Sequence, residues 1–361
     1  MNVLVLYSTH ITGAHQIKNM TDAYQATIGA HNHVTALPMS DGGQGFLDAI
    51  ETYATGCRRA TVTVRDTHFR LKDTYYITSQ DGKTAYIEAF KICGYDHTDP
   101  ERNPATAFTH GIGDAIADAL SHNCRNFVIG IEEIASIDAG LGMLDALGYK
   151  ILTDNGNELP LYRGSKMLRA CAVADSENAA LLKRCRFTIA CNDDSAFYAA
   201  TGPAVRHARR LGANEVTTDI LDNGLRNMAS VYFHHNGRDV SYIKGGGAGG
   251  GVAGAFASFF NAKLKPATTV MPGNKLPNAI KQADEIVIIC DSITPAAISG
   301  TAFSAMSAIL KKCNTRIHYM ALHHENAPLL ESIGIYNIIV TANPTDDLTA
   351  LLDRIMQKNN D

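Results

Sequence analysis

Short apolar strands alternate with helical patterns at both ends of the chain, and this alternation limits the fold more than any other feature. Near the start, strand patterns at Val3–Leu6 and Val34–Leu37 alternate with helical patterns at 13–29 and 45–53. Near the end the same alternation gives strands at 286–289, 316–320 and 337–340, and helices at 300–312, 325–333 and 345–357. Strands that are apolar on both faces and separated by helices predict a parallel, doubly wound sheet. Neither end supplies a whole sheet, so we predict one sheet built from both.

The middle of the chain has a different character. Its first strands, at 61–64, 74–78 and 84–87, alternate apolar and polar residues, and Asp81-Gly82 forms the turn before the last of them. A helix at 113–120, a strand at 127–130 and a helix at 140–147 follow. We therefore predict a discontinuous domain over 1–58 and 283–361, interrupted by a second, mixed α/β domain over 59–282.

Composition excludes several classes of function. The net charge of -4 and the pI of about 6.4 give no broad attraction to nucleic acid or to an anionic membrane. No apolar run approaches the roughly 18 residues of a membrane helix, and Met1 leads into a strand rather than a signal peptide. We expect a cytoplasmic protein without nucleic-acid or membrane partners. The histidines and cysteines lack metal-site spacing, so no metal site is predicted.

A glycine-rich run lies between a predicted strand at 240–244 and an apolar helix at 252–260. It consists of Gly245, Gly246, Gly247, Ala248, Gly249, Gly250 and Gly251. Backbone without side chains lets another surface approach closely, and a following helix N-terminus offers N–H groups to an anion. The run matches neither a Walker A motif nor a complete dinucleotide fingerprint. Anion binding and tight helix packing both remain open.

Several motifs, taken in order, resemble the bacterial glycerate kinase family. They are Pro38-Met39-Ser40-Asp41-Gly42-Gly43-Gln44-Gly45, Asn103-Pro104, Thr109-His110-Gly111-Ile112-Gly113-Asp114, Gly140-Leu141-Gly142-Met143 and the glycine-rich run after Lys244. The resemblance extends from Met1 to the last helix. It implies a flavodoxin-like domain interrupted by a second α/β domain, with ATP-dependent phosphorylation of glycerate or a similar small hydroxy acid. ATP and Mg²⁺ are implied in the same way.

Phosphoryl transfer needs a group that accepts the hydroxyl proton, neutralisation of charge and a cradle for phosphate oxygens. On the matched motifs, the candidate catalytic residues are Asp41, Asp138 and His10. Asp41 and Asp138 each have an alternative role as a helix cap. The paired glycines after Asp41 favour function, whereas both roles stay open for Asp138. Candidate substrate or nucleotide contacts are Ser8, Gly42, Gly43, Glu88, Asn103, Asn192, Arg209, Arg210, Gly245, Gly246, Gly247, Gly249 and Gly250.

Three of these candidate contacts also have a purely structural explanation. Glu88 ends a buried strand, where a structural pairing is as good an explanation as a ligand contact. Arg209 and Arg210 could hold a carboxylate or phosphate, or could lie on a solvated helix face.

The departures from the family pattern cluster where the chemistry would be. His10 stands where the family has lysine, and an unperturbed histidine is mostly neutral at pH 7. Glu132 and Glu133 replace two glycines, and Ile137 replaces an asparagine. The arginine of the family's Gly-Glu-Gly-Arg segment is absent from 289–294. We expect reduced activity. The alternative is a catalytically impaired paralogue that binds a small acid or regulates, and a homodimer is one assembly the sequence allows.

Overall fold

The computed structural model describes residues 1–9, 14–29, 31–160, 166–293, 315–324 and 338–357. His10 and the helices predicted at 300–312 and 325–333 lie outside these ranges. The strands are β1 Asn2–Ser8, β2 His33–Met39, β3 Arg58–Arg65, β4 Leu71–Thr78, β5 Thr84–Glu88, β6 Asn126–Gly130, β7 Lys150–Leu152, β8 Ala172–Ala174, β9 Arg186–Ala190, β10 Lys263–Lys265, β11 Glu285–Ile293, β12 Arg316–His324 and β13 Ile338–Val340.

The described α-helices follow the same chain order. They are α1 Ala14–Thr27, α2 Phe46–Tyr53, α3 Ala89–Cys93, α4 His110–Ser121, α5 Leu141–Ala146, α6 Ala179–Leu182, α7 Pro203–His207, α8 Glu215–Asn236, α9 Val252–Phe260, α10 Lys275–Gln282 and α11 Pro344–Gln357. Among these helices, none combines the length and the apolar character that a membrane span requires.

The chain divides into two compact units. The first consists of residues 1–40, 48–54 and 271–361, and the second of residues 41–47 and 55–270. Each unit has its own principal sheet.

The first unit contains a five-stranded sheet in the order β2-β1-β11-β12-β13, and every neighbouring pair is parallel. This is the flavodoxin-like order, with the second strand outside the first and the later strands added on the other side. The sheet joins strands from both ends of the chain, and the predicted fold class is confirmed.

Alternate residues of β1 pack into two separate cores in the first unit. Leu4 and Leu6 belong to a core with Tyr53 of α2 and Ile280 of α10. Val3 and Val5 belong to the other core, which includes Ile17 of α1 and Leu351 and Leu352 of α11. Both faces of the strand are therefore covered by helices, which explains why its sequence is a continuous apolar run.

The second unit contains a six-stranded mixed sheet in the order β10-β9-β6-β5-β4-β3. Its β3, β4 and β5 are antiparallel neighbours, whereas β5, β6, β9 and β10 are parallel. Asp81 organises the β4–β5 turn, because its side chain accepts hydrogen bonds from the N–H of Lys83 and the hydroxyl of Ser79. The carboxyl ends of the parallel strands meet at one edge.

Within the described residues, one predicted element is wrong. Residues 240–244 do not form a strand; Val240–Tyr242 form a single 3₁₀ turn instead. Asp239 is the physical reason, because its carboxylate accepts hydrogen bonds from the N–H and the hydroxyl of Ser241 and so bends the chain. The apolar helix predicted after the glycine-rich run is present as α9.

Candidate functional site

The Asp41–Gly45 loop packs against the carboxyl ends of β6 and β9 in the second unit. A Cβ atom on Gly42 would lie 2.3 Å from the carbonyl oxygen of Ala190, and one on Gly130 would lie 2.4 Å from that of Gly42. Neither position has room for a side chain, so the backbones are in direct contact. The N–H of Glu132 donates to the carbonyl oxygen of Gly42 at 3.3 Å. The loop is thus placed where ligands of parallel sheets usually bind.

Glu88 fixes the start of helix α2. Its side chain is 1% exposed, and its carboxylate accepts hydrogen bonds from the N–H groups of Gly45 at 3.2 Å and Leu47 at 2.9 Å. The Lys91 ammonium lies 3.9 Å from the same carboxylate. Burying a carboxylate requires such partners. The observed contacts match the structural role that the sequence left open for Glu88.

Asp41 is half-buried at the beginning of this loop. Its Oδ1 accepts a hydrogen bond from the N–H of Gly43 at 2.8 Å. Its charge also acts on Glu132, because burial first, and then the carboxylates of Asp41 and Asp193, raise the pKa of Glu132 to about 8. Two neighbouring carboxylates therefore act on Glu132 at the carboxyl edge of the sheet.

Glu132 connects the loop after β6 with the loop after β9. Its Oε1 accepts hydrogen bonds from the N–H of Asn192 at 2.6 Å and from the N–H of Asp193 at 2.8 Å. Glu133 has a left-handed backbone, with φ of 57°, and its carbonyl oxygen accepts a hydrogen bond from the N–H of Tyr95. The two glutamates that replace family glycines thus have different surroundings.

Asp193 is held by two side chains of helix α7. Arg206 Nη1 lies 3.1 Å from its Oδ1, and His207 Nε2 lies 3.1 Å from its Oδ2. Burial opposes ionisation, but hydrogen bonds from His207 and Ser195 and the charges of His207 and Arg206 outweigh it, and the pKa of Asp193 falls to about 2. Asp193 is therefore a paired carboxylate.

Asp138 is almost completely enclosed, with 1% of its surface exposed. Its carboxylate accepts hydrogen bonds from the N–H groups of Gly140 at 2.9 Å and Gly142 at 3.2 Å. It also accepts from the N–H and the hydroxyl of Thr109, and that hydroxyl in turn accepts from the N–H of Met143. Burial raises the pKa of Asp138 against these hydrogen bonds. Asp138 joins the starts of helices α4 and α5, which matches its capping alternative.

The glycine-rich run is packed against other backbone of the second unit. A Cβ on Gly247 would lie 2.1 Å from the carbonyl oxygen of Ala196, and one on Gly250 would lie 2.1 Å from that of Ser136. Many N–H groups of the run and of the first turn of α9 donate to main-chain carbonyls, among them those of Gly246, Gly247, Gly251 and Gly254. Close packing explains why these positions are glycine.

The remaining predicted contacts are spread over the described part of the chain. Asn192 Oδ1 accepts a hydrogen bond from the N–H of Ala267 at 3.2 Å. Arg209 pairs with Glu215 at 2.7 Å and is largely exposed, and Arg210 stacks on the ring of Tyr95 at 5.6 Å. Ser8 ends β1 in the first unit. His10 has no described position.

A cavity of about 510 Å³ lies within the second unit and brings two family motifs together. Gln44, from the loop that contains Asp41, and Asn103 both line it. The sequence did not single out His68, Lys72 or Tyr95, which also line the cavity. They lie on loops and strand ends without a motif of their own, so no local signal marked them.

A comparison with protein families decides the relationship. The model of the glycerate kinase family matches residues 9–359. The chain belongs to the glycerate kinase family. The match covers every loop described above, and it confirms the resemblance drawn from the motifs.

Relatives within the glycerate kinase family are moderately similar. The chain is 28% identical over 294 residues to the glycerate kinase of Halalkalibacterium halodurans, covering 80% of this chain and 76% of the relative. It is 32% identical over 232 residues to glycerate 2-kinase of Escherichia coli, covering 64% of this chain and 60% of the relative.

The fold of this glycerate kinase family member is also that of a solved structure. The crystal structure of a protein assigned as glycerate kinase 2 of Salmonella typhimurium LT2 matches with a TM-score of 0.76 at 21% identity, over 99% of both chains.

Proposed function

We propose that this protein is a kinase that transfers the terminal phosphoryl group of ATP to a hydroxyl of glycerate or of a closely related small hydroxy acid. The family match over residues 9–359 is the observation that carries the proposal. ATP is taken together with Mg²⁺, which arrives as part of the nucleotide substrate and neutralises phosphate charge.

Asp41 is the carboxylate proposed to accept the proton of the reacting hydroxyl. It is half-buried on a glycine-flanked loop at the carboxyl edge of the sheet, and one of its oxygens is oriented by the N–H of Gly43. Asp138 is proposed to act as a positioning residue, because its oxygens hold helices α4 and α5 rather than facing solvent. We assign these different roles to Asp41 and Asp138 because they differ in exposure, and a proton acceptor must reach its substrate.

The cavity lined by Gln44, Lys72 and Asn103 is proposed to hold the acid. Its volume of about 510 Å³ accommodates a three-carbon acid with water. The cavity carboxylates of Asp66, Asp96 and Asp99 accept hydrogen bonds from their own loops, and Asp99 also from His68. Two cations of the described lining, Lys72 and Arg102, form no ion pair within 4.0 Å. Arg102 already donates to the carbonyl oxygens of His97 and Asp99, so the Lys72 ammonium is the cation proposed to meet the carboxylate of the substrate.

The direct test is to incubate the protein with ATP, Mg²⁺ and D-glycerate and to follow phosphoglycerate by ³¹P NMR. We expect product, at a rate below the ordinary median of about 10 s⁻¹. The reason is that His10 replaces a lysine, and losing one charge partner in the transition state costs about 10²–10³ in rate. A reaction without glycerate measures background hydrolysis. Absence of product, with no thermal shift caused by ATP or glycerate, would contradict the proposal.

A further inference from the structure

We infer that the N–H groups of Asn192 and Asp193 form a binding site for an oxyanion, which the carboxyl group of the protein's own Glu132 fills and from which a ligand phosphate or carboxylate displaces it. We call this pair of donors the two-amide site. The site stands on geometry alone, whereas the idea that its ligand belongs to a kinase reaction rests on the proposed function.

The two donors converge on a single atom. The N–H groups of Asn192 and Asp193 both point at Glu132 Oε1, at 2.6 Å and 2.8 Å. Consecutive backbone N–H groups that share one oxygen form the concave anion-binding arrangement known from phosphate sites. The short distances are those of hydrogen bonds to a charged or strongly polar acceptor. Glu132 thus occupies the place that an oxygen of a ligand would take.

The scaffold around the two-amide site does not depend on Glu132. Strands β6 and β9 are parallel neighbours that align Gly130 with Ala190, so the loops after them start at the same level. The N–H of Cys191 donates to the carbonyl oxygen of Lys265, and the side chain of Asn192 accepts from the N–H of Ala267. The donors are held from the far side and remain in place when the glutamate leaves.

Glu132 is a poor permanent occupant of the site. Its carboxyl group is influenced by the carboxylates of Asp41 and Asp193, and burial adds to the cost of its charge. The charge of Asp193 is already met by Arg206 and His207. The charge of Asp41 acts on the same position, and an anion that arrives with its own counter-cation offsets it.

The competing explanation is that Glu132 only stabilises the two loops that it connects. Substitutions at 132 and 133 distinguish this structural role from an anion-binding site. Glu132→Gly and Glu132→Ala empty the two-amide site, while Glu132→Gln keeps an oxygen that can accept both hydrogen bonds. Glu133→Gly is the matched control, because Glu133 already has the left-handed backbone that glycine favours.

The experiment is a titration with inorganic phosphate, and separately with D-glycerate, observed through the ¹⁵N–¹H resonances of Asn192 and Asp193. We expect Glu132→Gly and Glu132→Ala to bind at least one of these anions about tenfold more tightly than the wild-type chain, with the largest shifts at those two amides. Glu132→Gln and Glu133→Gly should resemble the wild type. The anion that gains affinity identifies whether phosphate or carboxylate oxygens fit.

Unchanged affinity in both emptied variants, or shifts confined to other amides, would overturn the inference. If Glu132→Gly does not fold, the alanine variant decides, since it makes no special demand on the backbone. The binding measurement does not require turnover. If the wild-type protein has no kinase activity but the emptied variants gain anion binding, the proposed function is wrong and the two-amide site is supported. If the wild-type protein has kinase activity but the variants gain no binding, the two-amide site is wrong and the proposed function is supported.

Discussion

Two of the three acidic residues between Ile131 and Asp138 are in opposite situations. Asp138 is surrounded by donors, with three N–H groups and a hydroxyl directed at it. Glu132 receives two N–H groups but faces the carboxylates of Asp41 and Asp193. The comparison teaches that burial alone does not distinguish these two acids. The balance of donors against like charges separates them.

Removing Asp138 should have the largest effect on stability. In Asp138→Ala the N–H groups of Thr109, Gly140 and Gly142 lose their acceptor while buried, and each unsatisfied group costs about 1–3 kcal/mol. We expect a loss of about 3 kcal/mol or more in the free energy of unfolding, measured with urea. The control Asp154→Asn, in an exposed loop, should change it by less than about 0.5 kcal/mol. A small loss in Asp138→Ala would erase the contrast with Glu132.

Changing Asp41 should instead affect activity. In Asp41→Asn the proposed proton acceptor is lost, and we expect kcat/KM to fall by about 10²–10⁴. The melting temperature should stay close to that of the wild type, because the amide oxygen still accepts a hydrogen bond from Gly43. Steady-state assays with Asp154→Asn as control measure this. Activity within threefold of the wild type would place the proton acceptor elsewhere.

A substitution in the glycine-rich run should reduce stability by a smaller amount, through overpacking rather than through lost hydrogen bonds. In Gly250→Ala the new methyl group meets the carbonyl oxygen of Ser136, so we expect a loss of about 1–3 kcal/mol from overpacking. The control Gly82→Ala adds a methyl group with nothing within 4 Å at a residue that has a similar left-handed backbone, with φ of 67° against 65° at Gly250. Urea unfolding compares the two variants. Equal stabilities would mean that backbone packing does not fix residue 250 as glycine.

The pH dependence of stability tests the surroundings of Glu132. The folded pKa of Glu132, about 8, lies above the unfolded value of about 4.3, so the folded chain keeps a proton that the unfolded chain releases. This contribution to stability is complete below about pH 4.3 and declines, by at most about 1.4 kcal/mol per pH unit, until about pH 8. Glu132→Gln has no such term.

The corresponding measurement is urea unfolding of both proteins between pH 5 and pH 9. We expect the stability of Glu132→Gln relative to the wild type to rise up to about pH 8 and to stay level above it. A difference that does not vary with pH would show that Glu132 titrates normally.

Regular elements could be predicted from the sequence because they depend on local periodicity. The apolar run of β1 and the apolar pattern of α9 identify a strand and a helix without reference to anything distant. The prediction of a strand at 240–244 was wrong because of a single residue. Asp239 accepts hydrogen bonds from Ser241 and so bends the chain.

The site was predictable only in part. The motif around Asp41 drew attention through its glycines, and Asn103 through the family pattern. Lys72 and His68 line the same cavity as Asn103. Their positions depend on the pairing of β3 with β4 and on the turn between these strands, which no local pattern specifies. The partners of Glu132 are sixty positions away, so its role could not be derived from its own neighbourhood.

The contact between the backbones at Gly42 and Gly130 has a consequence for engineering the loop that contains Asp41. Because main chain meets main chain there, neither position accepts a larger residue unless the loop itself moves. Changes to the cavity that is proposed to hold the acid are open to a different approach, because side chains such as those of Gln44, Lys72 and Asn103 line it.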